Sequence, residues 1–531
     1  MLRVIFLTVW MTALTGCALL PAVVSPNAPA APREFRAMWV ATVANIDWPS
    51  KPGLPVARQR EEMRNILATA STLKLNAVIL QVRPAADAIY PSSLEPWSEY
   101  LSGRQGEPPG DGYDPLAEWV TAAHASGFEL HAWFNPYRAR HASARSPLAA
   151  NHLANTHPGV VKGYGDMLWM DPGEADAAAR TLAVVADVVR RYDIDGVHID
   201  DYFYPYPVKA SAEASEAEVP FPDDTSWLRY RQQAGWFGWR DRADWRRSNV
   251  DQLVRDLYRT VHGIKPWVKV GISPFGIGRP DRRPPGITGF SQYDKLYADV
   301  ERWLQAGWLD YLAPQLYWPI DRPAQAYPVL LDYWAAENWR HRHLWPGLFT
   351  SRIDDSERSW QPVEIERQIE LQRHSQTASG HIHFSAAALT QNRKGIAELL
   401  AKTTYRESAL VPASPWLRPS PWQPLPARGV ELTCPPSPVN AGAPQPCRVA
   451  VTSAGNDDGG HAKIATLSLR YGDVWQFRAV PLAVSAVTVP ASHDGKTLNL
   501  LVARAIDRYG VEGREVVLTP SPQMSSAGVP Q

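Results

Sequence analysis

Two adjacent carboxylates, Asp200 and Asp201, close a short run of alternating residues and are followed by an aromatic loop, Tyr202-Phe203-Tyr204-Pro205. Val197 and Ile199 alternate with His198, Asp200 and Tyr202. Successive side chains of a β-strand point to opposite faces, so the run reads as a strand with one apolar face and one polar face that ends in acids. Such acids suit glycosidic bond cleavage, in which one carboxylic acid protonates the leaving oxygen while a second group stabilises or attacks an oxocarbenium-like centre. Asp200 is the first choice, because alternation puts it on the polar face. Asp201 falls on the other face and reaches the site only if the strand ends or bulges there. Repulsion between the two neighbours raises the pKa of one, which favours a proton donor. Glu95 and Asp87, upstream on a long loop, are the further acids, and Glu95 is the expected catalytic partner. Asp47 and Asp321 are weaker candidates. The structural alternative is an edge strand carrying ion-paired aspartates.

The rest of the composition fits a sugar ligand. There are 22 Trp in 531 residues. Many must pack helices onto strands, but Trp48, Trp97, Trp133 and Trp318 sit beside Pro, Asp, Tyr or Asn at strand ends. A flat apolar ring with a polar edge matches the apolar face of a pyranose. Lys plus Arg and Asp plus Glu number 54 each, so no overall field favours nucleic acid. No cofactor is implied, and no compact metal motif is present. His198 with His131 and Asp200 only imitates a ligand cluster of the kind a metal-dependent deacetylase needs.

Positioning these residues falls to an alternation of strands and helices. Strand patterns occupy residues 35–44, 77–83, 129–135, 196–202, 268–275, 311–318, 344–349 and 381–386. Helical patterns lie at 57–73, 115–126, 174–192, 244–262, 294–305, 324–339, 363–374 and 393–403. Asp114-Pro115 is a good helix start, and Gly127 and Gly307 are good stops. Eight such units close a (β/α)₈ TIM barrel across residues 33–408, with the site on its C-terminal face. Two long loops, 83–114 and 204–242, follow strands and lengthen the barrel beyond the typical ~250 residues. An open doubly wound sheet would show a Gly-rich phosphate loop after its first strand, and none is there. If the apolar positions meet the helices, the lumen receives Gln81, Arg83, His131, Trp133, Asn135, His198, Asp200, Ser273, Gln315, Tyr317, His381 and His383. A layer this polar is costly to bury without a ligand or dense hydrogen bonding. Arg83, Asn135, Gln315 and Tyr317 suit hydroxyl and acetamido groups.

Both ends of the chain carry information of another kind. A basic start, an apolar run at 4–14 too short to span a bilayer, and Leu14-Thr15-Gly16-Cys17 resemble the signal and lipobox of bacterial lipoproteins (residues 1–17). That likeness implies lipidation of Cys17, and Ala18 rather than Asp after it implies sorting to the outer membrane, facing the periplasm. Residues 18–32, rich in Pro and Ala, form a tether. Only Cys434 and Cys447 remain, and an even pair in an exported chain points to a disulfide. A Pro/Trp-rich linker (409–428) precedes a small all-β unit (429–520), whose run Val502–Gly510 looks like the penultimate strand and turn of a fibronectin type III sandwich. Residues 521–531 read as disordered.

Several motifs carry a family resemblance across the whole barrel. They are Arg33-Glu34-Phe35-Arg36-Ala37-Met38-Trp39 with Asp47-Trp48-Pro49-Ser50, Gln81-Val82-Arg83-Pro84 with Asp87 and Glu95-Pro96-Trp97, and Trp133-Phe134-Asn135-Pro136-Tyr137-Arg138. The central 195–205 stretch, Ser273-Pro274-Phe275-Gly276 and Pro314-Gln315-Leu316-Tyr317-Trp318 complete the set. Together they resemble the family 10-like glycosyl hydrolases. With the lipobox and the β tail they most resemble the DigH-type lipoproteins of Gram-negative outer membranes. The resemblance implies cleavage of peptidoglycan glycan strands that have lost their stem peptides, during cell-wall splitting at division. It also implies a substrate-binding set of Trp39, Trp48, Arg83, Asp87, Asn135 and Tyr137, joined by His198, Tyr202, Gln315, Tyr317 and Trp318. The central motif is similar as well to the fourth strand of family 18 chitinases, at Asp195, Gly196 and Asp200. It departs by placing Tyr202 where that family has its acid. A wall-binding scaffold that grips glycan without cutting it is the alternative from another class.

Overall fold

The computed structural model describes residues 27–522, except 111, 210–216, 235–239, 376–377, 419–428, 436–444, 452–461, 483 and 485. The lipobox with Cys17, much of the tether and linker, and all but the start of the final tail lie outside the described residues.

Alternation of β-branched runs with amphipathic ones produces the expected parallel sheet. Its staves are β1 (Phe35–Val40), β2 (Ala77–Arg83), β3 (Glu129–Phe134), β4 (Gly196–Ile199), β5 (Lys269–Ile272), β6 (Tyr311–Leu312), β7 in two pieces (His343–Leu344 and Gly347–Leu348) and β8 (Gly380–His383). Each pairs in parallel with the next. The first piece of β7 pairs with β6 and the second with β8, whose Gly380 lies opposite Phe35 of β1. The sheet therefore curls until it meets its own beginning. Helices α1 (Val56–Thr72), α2 (Pro115–Ala125), α3 (Ala175–Arg191), α4 (Arg242–Ile264), α5 (Val300–Ala306), α6 (Tyr327–Glu337), α7 (Pro362–Ser375) and α8 (Ile396–Lys402) follow the staves in turn. Asp114 caps α2 by accepting from the Ala117 N–H, with Pro115 at the first position. Gly307 ends α5 at φ 72°, a conformation that costs glycine little.

Two apolar shells hold the ring. Val78, Leu80, Val82, Leu130, Ala132, Val197, Ile199, Val270 and Ile272 face the helices. Phe35, Ala37, Trp39, Ile79, Trp133, Tyr311, Trp345 and Ile382 fill the lumen. Burying each large side chain contributes about 1.5–3 kcal/mol. The lumen is crowded enough to need a glycine at position 271, where a Cβ would sit 1.9 Å from the Tyr311 ring.

Four expectations are corrected. β6 is a two-residue strand, continued only by bridges from Gln315 to Phe275 and Gly347, because Pro314 has no N–H to give the ladder. The helix expected at 294–305 is divided between Gln292–Lys295 and α5, with Tyr297 at φ 54° between them. A third long loop, 135–174, folds into an antiparallel sheet of Arg138–Arg140, Val161–Tyr164 and Met167–Met170. Finally, His381 and His383 do not enter the lumen; Ile382 does. Both imidazoles bond the Tyr405 hydroxyl, at 2.5 and 2.7 Å, and His383 also meets Thr350. Polar groups thus occupy a helix-facing layer because fixed partners wait there.

The C-terminal unit is all-β. One sheet contains Val430–Cys434, Cys447–Val451 and Ala486–Val489; the other contains Ala462–Tyr471, Val474–Pro481, Lys496–Asp507 and Glu512–Leu518. Cys434 and Cys447 are disulfide-bonded, as expected. Asp193, before β4, receives Lys463 and Arg508 from this unit. Arg33, before β1, donates to the carbonyls of Gly510 and Val411 at 2.7 and 3.1 Å and pairs with Glu512.

Candidate active site

A cavity of about 260 Å³ opens where the staves end. Trp39 comes from β1, Gln81 from β2, Trp133 from β3, Asp200, Asp201 and Tyr202 from the end of β4, and Ser273, Gln315, Tyr317 and Phe384 from the segments after β5, β6 and β8. Loops add Val43, Ala44 and Ile46 on one side and Arg138, His141 and Tyr206 on the other. A much larger hollow, about 1490 Å³, lies at the opposite end against the β unit. Of its acids, Glu34 is held by Arg36 and Arg373, so the smaller cavity is the one furnished for acid chemistry.

Both carboxylates reach it. β4 stops at Ile199, which frees Asp201 from the alternation that would have turned it toward the helices. The two are held differently. Asp200 accepts from Trp133 Nε1 at 3.0 Å and from Asn135 Nδ2 at 3.1 Å. Burial pushes its carboxyl up to about 7; the charge of Asp201 adds to the rise, while Arg138, Trp133 and Asn135 restrain it. Asp201 accepts from the hydroxyl of Tyr206 and the amide of Gln315, and its carboxyl is also raised, chiefly by burial. One carboxyl that keeps its proton near neutral pH thus adjoins a second with its own donors, an arrangement able to give a proton and to steady positive charge.

The expected residues divide sharply. Trp39, Asp200, Asp201, Tyr202, Gln315 and Tyr317 line the cavity. Asn135 and His198 stand behind it. Asn135 ties Asp200 to the Arg138 backbone, whose N–H it accepts at 2.8 Å. The Trp39 indole donates to His198 Nε2 at 3.1 Å, so that imidazole is neutral and donates through Nδ1 to Tyr311. His131 is bonded to Tyr311 and Glu129, so the trio that imitated a metal site is spent on protein partners. Among the described residues no group of His, Cys, Asp or Glu is arranged to hold a metal ion.

Glu95 is not the partner of Asp200. Its carboxylate is engaged by Arg83 at 2.5 and 2.8 Å, both side chains being buried. The cause is a bulge: Gln81 lies opposite Trp133 but Arg83 opposite Phe134, two residues against one, which rotates Arg83 out of the lumen. Asp87 caps the same loop through the Ala85 N–H and Ser98, and burial raises its carboxyl to about 7. Trp48 packs edge-on against Trp119, Tyr137 is fully buried, and Trp318 leans on Phe275. None of these lines the cavity.

Comparison with known proteins gives the family. Residues 34–363 match the model of the family described as glycosyl hydrolase-like 10. The chain belongs to that family. It is 43% identical over 393 residues to the glycosyl hydrolase YngK of Bacillus subtilis, covering 72% of this chain and 74% of that one. It is 36% identical over 324 residues to the glycosyl hydrolase DigH of Escherichia coli, covering 57% and 70%. Among solved structures it is similar to the glycoside hydrolase domain of PgaB from Bordetella bronchiseptica, with a TM-score of 0.46 and 14% identity, over 69% of this chain and 98% of that domain. The protein is a glycosidase.

For this glycosyl hydrolase-like 10 member, the residues that sequence reasoning missed are Arg138, His141 and Tyr206. All three lie beyond the staves, Arg138 at the start of the short strand Arg138–Arg140 and the others on loops, where the barrel's alternation assigns no face. The Trp-Phe-Asn-Pro-Tyr-Arg run did hold Arg138, and its position after the third stave was the available signal.

Proposed function

We propose that Asp200 is the proton donor and Asp201 the charge-stabilising carboxylate in cleavage of glycosidic bonds of peptidoglycan glycan strands, in particular strands without stem peptides. Asp200 protonates the leaving oxygen as the bond to the anomeric carbon breaks. Water then adds its hydroxide to that carbon and returns a proton to Asp200. The observation carrying this reading is the pair of adjacent buried carboxyls, each with its own donors, in one aromatic-walled cavity. The ring of staves is read as a (β/α)₈ barrel and the tail as a fibronectin type III-like sandwich that spaces or docks it. Cys17 is read as lipidated, holding the protein to the inner leaflet of the outer membrane with the cavity in the periplasm, in service of wall remodelling or division. The Leu-Thr-Gly-Cys order supports this, as does the Cys434–Cys447 disulfide, which suits an oxidising compartment.

Incubation of the purified protein with amidase-treated sacculi tests the substrate. Release of soluble sugars, absent with Asp200→Asn, is the expected result. Binding without release would overturn it in favour of a scaffold. Mass spectrometry of the mature N-terminus tests the lipid anchor.

A further inference from the structure

Arg138 is 3% exposed, and its charge acts on Asp200 and Asp201 without a direct ion pair to either. Among the described residues it forms no ion pair, its Nε–H has no acceptor, and its side-chain partners are the Tyr202 hydroxyl and, at 3.3 Å, the Pro84 carbonyl. Burying a guanidinium in this way is costly unless an anion arrives. The side chain is nevertheless fixed. Its backbone N–H is tied to Asn135, and its guanidinium lies 4.2 Å from the Tyr202 ring centroid, with Trp169 at 6.0 Å. Such pinning lowers the ordering cost of binding a planar acid.

His141 lines the same cavity, near enough for the Arg138 charge to act on it. The Ser143 N–H donates to its Nδ1 at 3.1 Å, so the ring carries its proton on Nε2 and is a donor there. Burial, aided by the Arg138 charge, lowers its pKa to about 4, so the donor is neutral at physiological pH. Gln81 adds to the theme. Its Oε1 accepts the backbone N–H groups of Thr42 and Val43, at 3.0 and 2.9 Å, and its Nε2 is left without an acceptor. The cavity therefore has its acids at the end of β4 and a run of unanswered donors beside them.

We propose that Arg138 and His141 form a carboxylate-binding subsite next to the cleaved bond, so that the sugar seated there carries a pendant acid, as a lactyl ether or a ring C6 carboxyl does. This rests on the cavity being a glycan site and names the ring chemistry it selects. Arg138 supplies a planar, charged pair of donors, and His141 a third from the side. A neutral ring in the same place leaves the guanidinium without a direct anionic partner in a desolvated pocket, which is the source of the discrimination.

The test compares two polymers: glycan strands freed of stem peptides, and the same strands with their carboxyls reduced to primary alcohols. Binding is measured by calorimetry on Asp200→Asn protein, and cleavage on wild type. The acidic strand is expected to bind about ten-fold or more tighter than the reduced one, and Arg138→Gln in the Asp200→Asn background to bring that ratio to within about two-fold. Circular dichroism checks that the variant folds, and the comparison of two strands on one protein needs no second variant. Arg138→Lys, which keeps the charge but loses the fork, is expected to restore part of the ratio. A uronic-acid polymer bound more tightly than the stem-free strand would support the subsite and move the acid to ring C6. Equal affinity for acidic and reduced strands would overturn the subsite, whatever the cleavage rates. Conversely, a binding preference without any cleavage would leave the subsite standing and remove the proposed hydrolysis.

Discussion

The indole Nε1–H of Trp133 donates to Oδ2 of Asp200 at 3.0 Å, so the ring that walls the cavity also fixes the acid. A donor of this kind stabilises the ionised carboxylate and lowers its pKa. Trp133→Phe keeps the ring and removes the donor, so the carboxyl should titrate above its present value of about 7. A general acid works while protonated. Activity should therefore fall as pH rises through that value in the wild type, and at higher pH in the variant. The pH profile of kcat/KM measures both limbs, and an alkaline limb that moves downward would contradict the assignment.

Asp201→Asn is expected to act in the opposite direction. The charge of Asp201 helps to raise Asp200, so removing it lowers the pKa of the acid and moves the alkaline limb down, together with a loss of rate.

Asp200→Asn removes the proton donor altogether. Turnover should fall by about 10²–10⁴-fold, with affinity for a glycan strand kept within a few-fold, because the cavity's shape and its ring stacking are intact. Reducing-end release and calorimetry separate the two effects.

Gly271→Ala tests the packing of the lumen. A Cβ there would meet the Tyr311 ring at 1.9 Å, and Tyr311 holds both His131 and His198. The expected cost is about 3 kcal/mol or more, read as a fall in the urea midpoint. A variant with wild-type stability would show that the ring moves freely.

Glu34 sets an acid limit on stability. Burial alone would raise its carboxyl, but the hydrogen bonds and charges of Arg373 and Arg36 outweigh burial and leave it at about 2, against an ordinary 4.5. A depressed folded-state pKa stabilises the fold above the unfolded value, and that contribution is lost as pH falls from about 4.5 through about 2. It amounts to about 3 kcal/mol at most. Unfolding free energy against pH should flatten across this window in Glu34→Gln.

How much of this was legible in the sequence depends on whether alternation held. It held for Gln81, Trp133, His198 and Asp200, whose neighbours Leu80, Ala132, Val197 and Ile199 marked the helix side. It failed at Arg83, where one extra residue reverses the face without leaving a trace in the pattern. It failed again at His381 and His383, whose polarity pointed inward although Tyr405, 22 residues beyond His383, was waiting outside. Strand length misled where Pro314 and Pro346 interrupted apolar runs. The donors Arg138 and His141 belong to loop geometry, which depends on contacts such as Asn135 to Arg138 that only the folded chain creates.

Arg33 grips Val411, Gly510 and Glu512 at once. Tension applied to the residues ahead of it therefore enters the molecule through the C-terminal unit and the strap after α8, not through β1 alone. The staves begin at that end and the candidate site lies at the other. If the proposed lipid anchor holds the chain there, a leash can be tugged without prising open the jaws.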